Sequence, residues 1–188
     1  MAPHVLVWQS TGAAGMEMAA VELAPDSMSV RGATIATAPE ACFLSYELEA
    51  GQGYVTTSLS IMAWGSGWSR MLELRRRHDG VWISQPGGYL PALDGALDCD
   101  VAGCCLTNTM PLLRHRLHER SGSMDFLMAW ISLPDLTVHA SRQRYTHLAR
   151  RPVGGALVRF QSSTVSVDLE IDTSGFVIAY PGLASRVG

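Results

Sequence analysis

Val165-Ser166-Val167-Asp168-Leu169-Glu170-Ile171-Asp172 alternates apolar and polar residues without a break, and Thr173-Ser174-Gly175 follows before Phe176, Ile178 and Tyr180. Successive side chains on a strand point to opposite faces, so this segment reads as a strand with one dry and one wet side, turned back into a second strand. The same period recurs toward the N-terminus. Met71 to Arg77 runs into His78-Asp79-Gly80 and returns through Val81-Trp82-Ile83, with Asp-Gly supplying the positive φ angles of a tight hairpin. Further strands read at Val5–Trp8, Glu17–Leu23, Ser27–Ile35, Cys42–Glu49, Tyr54–Ala63, Met124–Ser132, Leu136–Leu148 and Val153–Gln161. Helical spacing is scarce and no alternation of strand and helix appears. The pattern predicts a mostly β protein, an antiparallel meander of about ten strands that forms a barrel or half-barrel.

One stretch breaks the rhythm. Pro86 to Pro111 holds three prolines, four glycines and three of the four cysteines, with no clean alternation. A loop this long inside a compact domain usually has a function or covers something. It reads as a lid or crossover packed across one mouth of the sheet, with a short helix near Ala92–Leu97 and at most one or two short helices in the whole chain. No repeat or linker divides residues 1–188, and at 188 residues a single ligand-binding domain of the barrel type is expected.

Composition narrows the class of partner. Hydrophobic residues make up 47% and charged residues 16%, the basic residues are all arginine, and the formal charge is -3, which argues against nucleic acid. Mean hydropathy is +0.13, so there is much apolar surface to bury, yet no apolar run reaches the ~18 residues that cross a bilayer. Membrane insertion is not expected, and the first residues lack the pattern of an export signal, which points to the cytoplasm. There the four cysteines are expected as buried thiols rather than disulfides.

Familiar chemical motifs are missing from the sequence. Cys99, Cys104 and Cys105 with His115 and His118 lack the paired ligand spacing of a zinc site, so buried thiols and surface histidines are expected, with no metal. The same residues fit a cysteine nucleophile with a histidine base only as a chance pairing. Asp94, Asp98 and Asp100 fit an acid pair, but aspartates in a Gly/Pro-rich loop more often cap turns. Arg75-Arg76-Arg77 alternates faces on a strand and is expected to end in solvent. With no phosphate loop, nucleophile elbow or dinucleotide fingerprint, no cofactor is expected. The nine methionines and the aromatic residues are more telling, because adaptable apolar side chains on a wide β scaffold suit a ligand-sized cavity.

Several elements taken together resemble a known family. They are the run Pro91-Ala92-Leu93-Asp94-Gly95-Ala96-Leu97-Asp98-Cys99-Asp100, then Thr107-Asn108-Thr109-Met110-Pro111, Pro134-Asp135-Leu136-Thr137, Gln143-Arg144-Tyr145-Thr146-His147-Leu148 and Tyr180-Pro181-Gly182-Leu183. Their order and spacing resemble the glycolipid-binding family once classed as a domain of unknown function; Trp8, Gly15-Met16-Glu17, Tyr46-Glu47 and Glu73-Leu74 agree more loosely. The resemblance implies a β half-barrel or barrel similar to bacterial carriers of lipoproteins and glycolipids. It places Asn108 and Thr109 in the lid loop, Arg144 and Tyr145 on a long strand, and Tyr180 at the end of the final strand. Where family members carry arginines and glutamates this chain has Thr56 to Met62, and Ala102-Gly103-Cys104-Cys105-Leu106 replaces a Gly-Phe-Thr-Pro-like stretch. Both departures imply a greasier ligand.

Two functions fit. The first is a binding module for a hydrophobic small molecule, whether lipid, glycolipid or polyketide-like. The second is a cofactor-independent cyclase or isomerase that folds a linear hydrophobic intermediate, in which Tyr145 or Asn108 polarises a carbonyl. For either, Trp8, Tyr46, Met128 and Trp130 are the expected apolar lining, with Asn108, Thr109, Gln143, Arg144, Tyr145 and Tyr180 as polar partners. Neighbours on a strand face opposite ways, so Tyr145 shares a face with Gln143 and not with Arg144. An exposed sheet edge also leaves room for a homodimer.

Overall fold

Fifteen strands join into one sheet in which almost every neighbour in space is also a neighbour in sequence. The computed structural model describes residues 3–188. β1 (His4–Ser10), β2 (Gly15–Leu23), β3 (Met28–Ala36), β4 (Cys42–Ala50), β5 (Thr56–Gly65), β6 (Trp68–Arg76), β7 (Trp82–Gln85) and β8 (Gly88–Tyr89) form one antiparallel meander. The second comprises β10 (Ser123–Ile131), β11 (Val138–Arg150), β12 (Ala156–Gln161), β13 (Ser166–Ile171), β14 (Val177–Tyr180) and β15 (Ala184–Arg186). The two meet where β15 pairs with β1, Trp8 opposite Arg186 and Ser10 opposite Ala184. β9 (Asp98–Val101) adds to β10 in parallel and ends the sheet on that side, as β8 ends it on the other. The sheet is therefore not closed by a continuous strand ladder.

The expectation of a β meander holds, but about ten strands is too few. β8, β9 and β15 have only two to four residues each, too short to show an alternation. The helix expected near Ala92–Leu97 is a single 3-10 turn at Pro91–Leu93, and the one α-helix among the described residues, α1 (Thr109–Arg114), lies further on. A parallel pair needs a long crossover, and residues 102–122 provide it between β9 and β10.

That crossover is a plug rather than a lid. Residues 104–113 are buried without exception. Cys104 Sγ lies 3.5 Å from Thr34 Oγ1 on β3, and Asn108 Oδ1 accepts from the Tyr145 hydroxyl on β11 at 2.8 Å. β3 and β11 lie seven places apart in the sheet, roughly 34 Å if it were flat, whereas Cys104 and Asn108 are four residues apart. Only a sheet wrapped around the segment satisfies both contacts. Residues 109–113 of α1 are all buried and, but for Thr109, apolar, with Pro111 tolerated in the first turn and only Arg114 reaching the edge of the core. The thiols of Cys99, Cys104 and Cys105 are free and buried in the same core.

Arg114 fixes the far end of the plug. Its Nε donates to the carbonyl of Gly53 and its Nη2 to that of Tyr54, both at 2.8 Å, and the guanidinium grips both carboxylate oxygens of Asp98 on β9. The apolar surplus is not wholly inside, because Met16, Ile35, Phe43 and Trp64 sit in register across β2 to β5 on the outer face, each at least 40% exposed. Replacing Arg114 by Leu leaves the fully buried Asp98 without its counter-charge. We expect a loss of about 3 kcal/mol in chemical denaturation, largely recovered when Asp98 is also replaced by Leu.

Candidate functional site

Strand β9 carries Asp98 and Asp100 on one face, two residues apart, in an environment where carboxylates are costly. They are not turn caps, because neither stands in a loop. Asp98 belongs to Arg114. Asp100 receives a hydrogen bond from Gln143 Nε2 at 2.6 Å and another from Thr107 Oγ1 at 2.9 Å. Burial pushes its carboxyl above the ordinary range, and those two donors pull it part of the way back. From Gln143 the chain of contacts continues: its Oε1 lies 3.2 Å from the Tyr145 hydroxyl, which donates to Asn108 Oδ1, while Asn108 Nδ2 donates to the carbonyl of Cys105 at 3.3 Å.

This polar group floors a cleft of about 940 Å3 bounded by β9 to β12 and the turn after Tyr180. Val101, Trp130, Phe160, Val165 and Leu183 give it apolar walls, Asp100, Asn108, Gln143 and Tyr180 line it deeper in, and Ser141, Ser162, Ser163 and Thr164 supply hydroxyls. Trp130 stacks against His139 with ring centres 5.5 Å apart, and Tyr180 packs on Phe160 at 5.8 Å. Burial and the nearby Asp100 hold the Tyr180 hydroxyl protonated, well above the usual phenol range. A smaller pocket of about 230 Å3 shares Ala102, Gly103, Gly182 and Leu183 with the cleft as a common wall.

Of the residues singled out in the sequence, Asn108, Trp130, Gln143 and Tyr180 come together in this cleft. Tyr145 lies behind them, wholly buried. Arg144 points to the opposite face, as the period required, and forms a bidentate pair with Asp125 at 2.6 Å. Trp8 is core, its indole N–H donating to the carbonyl of Val177 at 2.8 Å; Met128 and Thr109 are core as well. His118 is buried rather than on the surface, its Nδ1 3.4 Å from the carbonyl of Leu112. Burial raises the Cys99 thiol to about 12 and the Cys104 and Cys105 thiols likewise, which leaves no ready thiolate at neutral pH.

A second buried centre holds the plug to the sheet. Glu17 on β2 faces inward beside Tyr46, whose hydroxyl donates to Oε1 at 2.8 Å. The backbone N–H of Cys105 donates to Oε2 at 2.6 Å and that of Leu106 to Oε1 at 3.4 Å. Tyr46 reaches Glu17 across Gly32, where a Cβ would lie 2.1 Å from the ring. Burial outweighs these three donors and raises the Glu17 carboxyl to about 7.

Against known proteins, a family model described as "Putative glycolipid-binding" matches residues 5–186. The chain belongs to this family. A crystal structure of a DUF1089 family protein from Pseudomonas aeruginosa is similar to it with a TM-score of 0.76 and 26% identity, covering 96% of this chain and 95% of the other. No curated protein matches the chain. Among the described residues no helix is long and apolar enough to cross a membrane.

Nothing in the alternation marked Glu17 or Asp100 as central; Glu17 stood only in the loosely matching Gly15-Met16-Glu17 element, and Asp100 closed the Pro91–Asp100 run of the family resemblance. For Glu17 the folded state keeps a proton up to pH about 7, whereas the unfolded chain releases it near its ordinary 4.5. The stability Glu17 contributes is therefore greatest below that lower value and declines as pH rises to the upper one, by up to about 3 kcal/mol. Melting temperatures of the wild type are expected to fall across this window, and Glu17→Gln to flatten the decline.

Proposed function

We propose that this protein binds a single amphiphilic small molecule, a lipid, glycolipid or comparable hydrophobic compound, in the cleft floored by Asp100, Asn108 and Gln143. The observation that carries the reading is the combination of size and lining. A volume of about 940 Å3 with apolar walls and a few convergent polar groups is the form in which proteins hold one lipid-sized ligand. Trp130, Phe160 and Leu183 would shield the apolar part, and the polar groups would orient the head. The description of the family as glycolipid-binding supports the same reading.

Binding is better supported than cyclisation. A cyclase of the kind considered above needs a hydroxyl free to meet a substrate carbonyl, and the Tyr145 proton is engaged with Asn108 inside the protein. In the cleft the phenol in position for such a role is Tyr180.

Native mass spectrometry of the protein as purified, followed by denaturing extraction, is expected to reveal a retained amphiphile. Ser141→Trp, which places an indole in the cleft from the half-buried face of β11, is expected to abolish that mass while leaving the melting temperature nearly unchanged. A wild type that arrives empty and takes up neither an alkyl glucoside nor a monoacylglycerol would overturn the proposal.

A further inference from the structure

We propose that Asp100 sets the head-group preference of the cleft, selecting neutral, hydroxyl-bearing amphiphiles and turning away anionic ones. The inference rests on the binding reading above and names the class of ligand for that site. Its starting point is the unequal treatment of two acids on one face of β9. Asp98 is neutralised by a bidentate arginine, but among the described residues no arginine or histidine lies within 4 Å of the Asp100 carboxylate, whose partners are the neutral Gln143 and Thr107. Asp100 is 8% exposed, and the surface it shows lines the cleft. A carboxylate kept in such a place without a counter-ion imposes a negative field on whatever enters.

The unused valences at the floor fit a hydroxyl. Each Asp100 oxygen accepts one bond and has room for another, so the floor offers acceptors. The side-chain amides of Asn108 and Gln143 each have one N–H committed and a second left over, and the Tyr180 hydroxyl stays protonated. A sugar or glycerol hydroxyl donates to Asp100 and accepts from these neighbours in the same position. A carboxylate or phosphate only accepts, and it would face Asp100 as a like charge. The basic residues lining the cleft, His139 and Arg142, are both exposed, and Arg142 stands on the face of β11 opposite Gln143.

The test compares four ligands with one tail below their micelle concentrations: dodecyl glucoside, monododecanoylglycerol, dodecanoate and dodecyl phosphate. At about pH 8 the carboxylate is fully charged and the phosphate nearly so. Wild-type protein is expected to bind the two neutral compounds at least about tenfold more tightly than the two anions. Asp100→Asn is expected to bring the four within about threefold, mainly by improving the anions, whereas Arg142→Gln leaves the wild-type ratio in place. Equal affinities in the wild type, or an unchanged ratio in Asp100→Asn, would overturn the inference alone; should that variant fail to fold, the wild-type ratio decides. Tighter binding of the anions, lost in Arg142→Gln, would also overturn it by assigning the head group to the rim. Failure of all four to bind would overturn the binding reading and this inference with it.

Discussion

The carboxylate of Glu17 fastens the plug to the sheet, and the shape of the molecule follows from that attachment. An extended sheet with one apolar face needs something to cover it, and here the cover comes from the crossover that parallel pairing of β9 requires. Glu17 takes the backbone N–H groups of Cys105 and Leu106 as the crossover enters its helical turns. Those groups would otherwise be buried without acceptors. With the plug fixed against β2 and β3 at this point, Asn108 meets β11 on the other side, and the strands between curve to accommodate both contacts. Gly32 belongs to the same arrangement because its missing side chain is the space through which Tyr46 reaches the carboxylate.

The period-two pattern made the long strands legible, because each buries one face along its length, and the hairpin at Asp79-Gly80 carried its own turn chemistry. Alternation does not tell which face is inner where a polar residue faces inward. Read by hydropathy, Met16 and Met18 belong inside and Glu17 outside; in the structure the methionines are 45% and 47% exposed and Glu17 is 3% exposed. The plug supplies hydrogen bonds from a segment far along the chain, and no local pattern carries that information. α1 escaped notice for a related reason, since six residues of which the first five are buried show no polar stripe to give a period.

The cleft was legible only in parts. Asn108, Gln143 and Tyr180 entered through the family resemblance and the shared face of Tyr145, and Trp130 through its aromatic character. Asp100 was visible as an acid in an irregular loop, where a turn cap was the better reading, and only its pairing opposite Trp130 on a short parallel strand places it on the cleft floor. The lining comes from five separated stretches of chain, so their convergence is a property of the curved sheet rather than of any motif. The same curvature explains why Trp8, a good aromatic candidate, belongs to the core: β1 lies in the middle of the sheet order, flanked by β2 and β15.

The joint between β1 and β15 has a mechanical consequence. The first and last strands lie side by side in the interior of the sheet order, held by three registered residue pairs together with the bond from Val187 N–H to the Val7 carbonyl. In an antiparallel pair the start of one strand lies beside the finish of the other, so tension applied between the two termini loads these bonds in succession and peels them apart, rather than shearing them together. A pull on the ends thus divides the sheet at its middle into the two meanders, with the plug bridging them, while the outermost strands β8 and β9 carry none of the load at first.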